Sequence, residues 1–265
     1  MNPIVDLKHV YVARGKNVVL HDLSLLISSG ENIAILGPNG CGKSTLLKTI
    51  TCDVYPLVRS ETSVSIMGRE RWDLTILKRR MGVVTADLPG RPTLSTTGID
   101  AILTGFFSSS TLWPNLHVTA QMRQHAEQIL FRVGAENLRE KLVGEMSAGQ
   151  QRRIMIGRAI AGTTSTDEDG VQMLLLDEPS NALDIGAQHD FRDMLRSLAQ
   201  RGTSILLITH HLADILPEID RIVMMREGRI VADGAKVELL NERRISDLFG
   251  REIRMSERDG YWNAW

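Results

Sequence analysis

Residues 32–50 read NIAILGPNGCGKSTLLKTI, and this stretch decides the fold. A short apolar run from Asn32 to Leu36 stops at a glycine-rich loop, and a helical pattern begins at Lys43, so the order is strand, loop, helix. Gly37, Pro38, Asn39, Gly40, Cys41, Gly42, Lys43, Ser44 and Thr45 spell GPNGCGKST, which fits GxxxxGK[ST]. Glycines let successive backbone N–H groups turn inward around phosphate oxygens. The helix N-terminus adds positive potential, Lys43 adds charge, and Ser44 offers an oxygen to Mg2+. Chance produces such a match in about one chain in a hundred of this length, and the strand and helix on either side lower those odds further. The stretch is a phosphate cradle.

Working outward, Ile4 to Val12 and Val18 to Ile27 read as antiparallel strands joined at Arg14-Gly15-Lys16-Asn17. Short strands follow at Ser63 to Met67 and Met81 to Val84. The texture then turns helical, as in Gln121 to Val133, and a helical insert is expected over roughly 90–160. From Val171 the pattern alternates again: a strand at 171–176, a helix over 185–200, and strands at 204–208 and 221–225. Strands alternating with helices predict an α/β fold with a parallel sheet covered on both faces. A helix near Val237 to Phe249 closes one expected domain, 1–250, and 251–265 reads as a polar tail. Its Tyr261-Trp262-Asn263-Ala264-Trp265 ending is hard to leave in water and is expected to pack.

Two further stretches carry chemistry. Met173-Leu-Leu-Leu-Asp177-Glu178-Pro179 delivers two consecutive carboxylates at a strand end, and neighbours in a strand point to opposite faces. One suits Mg2+, and the other can orient or deprotonate a water. Alone, such a pair is more often a helix cap; beside a phosphate cradle the catalytic reading is favoured. Ser147-Ala148-Gly149-Gln150 precedes a helical pattern and reads as a capping box, which is also a second anion site.

Composition sets limits. The 31 basic residues nearly cancel the 32 acidic ones, so no nucleic-acid partner is expected. Apolar runs are far shorter than the roughly 20 residues that span a bilayer, and the N-terminus has no signal-peptide pattern. The two cysteines, Cys41 and Cys52, lack metal-ligand spacing and suit a reducing cytoplasm. Cys41, beside Lys43 and a helix N-terminus, is expected to have a lowered thiol pKa and to react with thiol reagents unless ATP protects it.

GPNGCGKST, MSAGQ, LLLDEP, SNALD and ITHH, in this order, resemble the nucleotide-binding domain of ATP-binding cassette (ABC) proteins over nearly the whole chain. The resemblance implies a P-loop NTPase core of ABC type with an N-terminal antiparallel subdomain and an inserted helical subdomain. It implies ATP and Mg2+ as cofactors, with Ser44 and Asp177 on the metal. Glu178 is then the residue that activates water, Lys43 a phosphate-binding catalytic residue, and His210 the switch that senses the γ-phosphate. His211 acquires no role. Met146 to Gln150 resembles the signature LSGGQ with Met146 for Leu and Ala148 for Gly, keeping Ser147 and Gly149. Ser180 to Asp184 resembles the D-loop. Since each family site pairs the cradle of one subunit with the signature of another, the resemblance implies a head-to-tail dimer, identical or not.

Two positions depart from the family pattern. The Gln usual after the strand at Met81 to Val84 is replaced by Ala86, so either Thr85 or Asp87 substitutes for it, or coupling at this loop differs from the common case. The aromatic that stacks on adenine is replaced by Arg14, whose guanidinium can stack, in preference to Tyr11. Gly105-Phe106-Phe107-Ser108 and the ending GRIVADGAKVELL resemble importer ATPases, whose kin take up metals or oxyanions. An ATPase subunit docked to a separate membrane permease, peripheral at the inner face of the cell membrane, is therefore expected. The alternative is a permease-free ABC ATPase with a regulatory or repair role, which the missing Gln favours. A nucleotide-binding module without turnover is disfavoured by intact Lys43, Asp177, Glu178 and His210. The acidic loop at 163–170 reads as solvated.

Overall fold

The computed structural model describes residues 3–85, 89–162 and 173–265. Ala86 and Asp87, proposed at the missing Gln, and the acidic loop at 163–170 lie outside the described residues. In chain order the strands are β1 (Pro3–Arg14), β2 (Asn17–Ser28), β3 (Ile33–Leu36), β4 (Ser63–Ile66), β5 (Met81–Val84), β6 (Met173–Asp177), β7 (Ile205–Thr209), β8 (Arg221–Arg226), β9 (Arg229–Ala235), β10 (Met255–Arg258) and β11 (Tyr261–Ala264). The α-helices are α1 (Lys43–Ile50), α2 (Leu74–Arg80), α3 (Arg91–Leu94), α4 (Gly98–Leu103), α5 (Ala120–Arg132), α6 (Ala148–Ala161), α7 (Ile185–Gln200), α8 (Lys236–Leu239) and α9 (Glu242–Phe249). They divide into two compact units, Met1–Leu74 with Ser204–Trp265, and Thr75–Thr203.

The first unit holds an antiparallel sheet in the order β2-β1-β4 and parallel strands β7, β3 and β8 side by side. Val5, Leu7, Val10 and Val12 of β1 and Leu20, Leu23, Leu25 and Ile27 of β2 are all buried, the alternation of a sheet with one apolar face. Every residue of β3 and β7 is buried, as expected for strands covered on both sides. The structure adds a strand that the sequence analysis did not place. β9 runs antiparallel to β8, because Glu227 and Gly228 form a two-residue turn with φ of 50° and 73°. Two positive φ angles twist the chain the right way for a hairpin.

The expected helix from Val237 to Phe249 is two helices. Asn241 accepts a hydrogen bond from the Arg244 N–H and so caps a new start at Glu242. The expected polar tail is a β-hairpin, β10 with β11, turning at Asp259-Gly260, which have φ of 54° and 82°. Asp-Gly is a strong hairpin signal. A Cβ at Gly260 would lie 2.9 Å from Pro217 Cγ, so the hairpin tip rests on that proline. Trp262 is half-buried, whereas Trp265 is 71% exposed and does not pack as expected.

In the second unit β5 and β6 pair in parallel, Met81 opposite Met173 through Val84 opposite Leu176. Helices occupy Arg91 to Ala161, with side-chain caps at Thr97, Thr119 and Ser147. Backbone approaches closely where glycines allow it: a Cβ on Gly105 would run into the Arg158 carbonyl, and one on Gly98 into that of Leu138. Thus the glycine of the Gly105-Phe106-Phe107-Ser108 motif is a packing requirement.

His125 on α5 is an exception to this unit's polar satisfaction. Its Nε2 is buried without a hydrogen bond, and its ring meets the edge of Phe106 at 6.1 Å. Burial, with Arg132 as a smaller cause, holds its pKa below the ordinary 6.5. The folded state thus prefers neutral His125, while the unfolded chain binds a proton near 6.5, so this contribution to stability is present above 6.5 and is lost as pH falls toward the depressed value. The thermal midpoint, followed by circular dichroism, should drop between pH 7.5 and 5.5, and His125→Phe should flatten that slope.

Candidate functional site

The phosphate loop begins where β3 ends. A Cβ on Gly37 would run into the Met225 carbonyl and lie 2.8 Å from Cys41 Sγ, so only glycine fits. Gly42, the N-cap of α1, has φ of 106°, and a Cβ there would meet Leu20 at 2.8 Å. No side chain caps α1. A helix start without a side-chain cap, on a glycine turn, leaves backbone N–H donors for an anion.

Lys43 is 5% exposed, and its ammonium donates to the carbonyls of Gly37, at 2.7 Å, and Pro38, at 3.1 Å. The charge is held against the loop by bonds that a phosphate oxygen can replace. Ser44 is exposed beside it, whereas Thr45 is buried. Cys41 is only 5% exposed, so its expected reactivity toward thiol reagents is corrected: burial keeps them out. The loop is tied down from β8 and β9. The Gly228 N–H donates to the Cys41 carbonyl at 2.9 Å, and the Gly228 carbonyl accepts from the His21 N–H at 2.9 Å.

At the end of β7, Thr209 is buried and donates its hydroxyl to Asp214 at 2.7 Å, while it accepts the His211 N–H at 2.9 Å. This local knot fixes the turn that presents His210. The rings of His210 and His211 lie against one another, tilted by 42° with centroids 3.8 Å apart. Arg14, expected to stack on adenine, is exposed at the end of β1. The Tyr11 ring is already covered by the Arg59 guanidinium, 3.7 Å from its centroid.

In the second unit Asp177 ends β6 at 9% exposure. Glu178 is not the next residue of the strand, as expected, but lies past its end with φ of 47°. Its direction is therefore set by left-handed backbone rather than by strand alternation, a conformation that costs of the order of 1–3 kcal/mol and clusters at functional sites. Asn181 donates to Glu178 Oε2 at 2.7 Å and orients the carboxylate. Asp184 caps α7 through the Ala187 N–H.

The signature segment forms a true capping box: Ser147 Oγ accepts from the Gln150 N–H, and Gln150 Oε1 accepts from the Ser147 N–H. Gln150 Oε1 also accepts from Lys141 at 3.3 Å, so this oxygen serves the helix start. Ser147 is exposed, with its hydroxyl proton available. Further along α6, buried Arg152 donates to the Thr85 carbonyl, tying the signature helix to the residue before Ala86.

Sequence reasoning quoted Gly228 and Asn181 only within GRIVADGAKVELL and SNALD, without the contacts seen here, and missed Arg59. Gly228 was legible as the second residue of a Glu-Gly turn; the other two act through tertiary contacts that no local pattern announces.

Residues 20–181 match a family model described as ABC transporter. The cobalt import ATP-binding protein CbiO of Rhodobacter capsulatus is 32% identical over 247 residues, 92% of this chain and 82% of its own. The hemin import ATP-binding protein HmuV of Photobacterium damselae subsp. damselae is 28% identical over 250 residues, 93% of this chain and 89% of its own. Among solved structures, an ATP-binding cassette in a dimeric post-hydrolysis state with ADP and Pi superposes with a TM-score of 0.69 at 26% identity, covering 87% of this chain and 98% of its own.

A Cβ on Gly228, with φ of 73°, would run into the Val19 carbonyl. Gly228→Ala is expected to destabilise the protein by about 2 kcal/mol or more and to weaken ATP binding in a calorimetric titration, although Gly228 is outside the cradle sequence.

Proposed function

We propose that this chain, which belongs to the ABC transporter family, is an ATP-binding, ATP-hydrolysing subunit that works with a membrane permease and energises import as one of a head-to-tail pair of cassettes. The observation that carries the nucleotide part is the cradle: a helix start without a side-chain cap, glycines that admit no Cβ, and Lys43 held against the loop. Backbone N–H groups of Gly40, Gly42, Ser44 and Thr45, with Lys43, hold the phosphates of ATP, and Arg14 stacks on the adenine.

Ser44 and Asp177 offer a hydroxyl and a carboxylate, hard oxygen donors of the kind Mg2+ takes. Mg2+, when bound, neutralises phosphate charge. Glu178, held by Asn181, orients the attacking water and takes its proton, and His210 contacts the γ-phosphate. Ser147, Gly149 and Gln150 face the nucleotide of the second cassette, so neither cassette completes a site alone.

Import is the direction carried by the relatives, named for hemin and cobalt. The cargo proposed is accordingly a metal ion or metal complex, selected by the permease. Among the described residues no helix is long and apolar enough to cross a membrane, and the reading proposed is a subunit docked peripherally on a permease at the membrane's inner face.

Glu178→Gln should bind ATP with near-normal affinity, hydrolyse it about a hundredfold or more slowly, and accumulate as an ATP-bound dimer on size exclusion. Undiminished turnover would remove Glu178 from the catalytic role. The transport reading has its own check. A polytopic membrane protein that co-purifies with the tagged chain and raises its ATPase rate supports import, whereas full activity with no membrane partner favours the permease-free alternative.

A further inference from the structure

A cavity of about 440 Å³ lies within the first unit, between the phosphate loop and the C-terminal hairpin. It borders the cradle through Pro38 and Asn39 without including its helix start: Lys43, Ser44 and Thr45 do not line it. His210 and His211 form a second wall. Arg251 and Asn263, from the segment that the sequence presents as a tail, form a third.

The chemistry of the wall selects a charge. Asn39, His211, Arg251 and Asn263 all border the cavity, and among the described residues none of their side chains makes a hydrogen bond or an ion pair. No carboxylate side chain lines it. Two acids that adjoin the lining in sequence are engaged elsewhere: Glu252 pairs with Arg254 at 2.8 Å, and Asp214 accepts from Thr209. A guanidinium, two amides and two imidazoles converging without a carboxylate favour an anion, with Arg251 able to take a carboxylate or phosphate in a forked pair.

The apolar part of the lining selects the rest of the ligand. Ile245 and Ile253 are buried, and Phe249 presents a half-buried ring. The volume falls within the range of about 300–1,000 Å³ typical of small-molecule sites, and such sites combine apolar walls with a few convergent polar groups. From this geometry we infer that the cavity is a binding site for a small organic anion, one carboxylate or phosphate on a compact aromatic or branched body, which on binding holds His210 and the phosphate loop and slows turnover. The binding itself does not depend on the ATPase reading; the effect on turnover does.

Indole-3-acetate is a suitable probe, with neutral indole-3-acetamide and cationic tryptamine as controls, titrated calorimetrically into the nucleotide-free full chain. The acetate should bind saturably, one per chain, at least tenfold more tightly than either control. Arg251→Gln and Asn263→Asp, both at exposed side chains, should each weaken it about tenfold, one by removing a positive charge and the other by adding a negative one. Lys43→Ala, which disables the cradle, should leave it unchanged. Equal affinity for all three probes, no saturable binding up to about 10 mM, or loss of binding in Lys43→Ala would overturn the site. In the ATPase assay, acetate should lower the rate of the natural chain, and the concentration giving half of that effect should be about tenfold higher for Arg251→Gln. An unchanged rate with the site demonstrably filled would leave a binding site and refute the regulatory link.

Discussion

The hydrogen bond from the Gly228 N–H to the Cys41 carbonyl is the contact on which the nucleotide machinery of the first unit depends. A phosphate loop needs its amides aimed inward before the ligand arrives, since ordering them on binding would consume affinity. Here the loop is pinned by neighbours that leave no room for side chains: Met225 against Gly37, Leu20 against Gly42, and Val19 against Gly228. The β8–β9 turn, a plain hairpin in topology, is therefore the clamp of the cradle. Through the His21 N–H it also joins the loop to the antiparallel sheet.

The second unit solves a related problem with caps and strain. Its signature segment is a capping box, so the interactions that start α6 also hold Ser147 outward with an available hydroxyl. Glu178 is placed by an unfavourable φ and retained by Asn181. Backbone strain persists where surrounding structure over-determines it, and here β6, fully buried, and the capped α7 flank the strained residue on either side. The carboxylate is consequently aimed without the freedom of a side chain at the end of an ordinary strand.

The C-terminal hairpin links stability to a candidate ligand site. Docked through Gly260 on Pro217, it brings Asn263 and Ala264 to the same cavity as His210. The buried Thr209–Asp214 bond holds the turn on the other side of that cavity. A ligand there would touch both the loop and His210, for which a γ-phosphate contact is proposed, and that is the physical basis for coupling the cavity to turnover.

Wherever chemistry forces a local pattern, the sequence by itself determined the outcome. GPNGCGKST determined a strand, a glycine turn and a helix start at Lys43, because only glycines tolerate those backbone angles and close approaches. Ser147 and Gln150 determined a cap, because their reach to backbone is set by three residues of spacing. The family resemblance and its motif order were legible for the same reason. Asp259-Gly260 and Glu227-Gly228 were also legible as hairpin turns, but the strands they lead into, β11 and β9, have no buried residue, so no apolar alternation announced the returning strand. Only the tertiary structure decided that Glu178 leaves the strand, that Cys41 is shielded, that Arg59 covers Tyr11, and that the last residues wall a cavity beside His210. Those outcomes rest on contacts between residues far apart in the chain, where burial and backbone crowding, rather than local propensity, set the geometry.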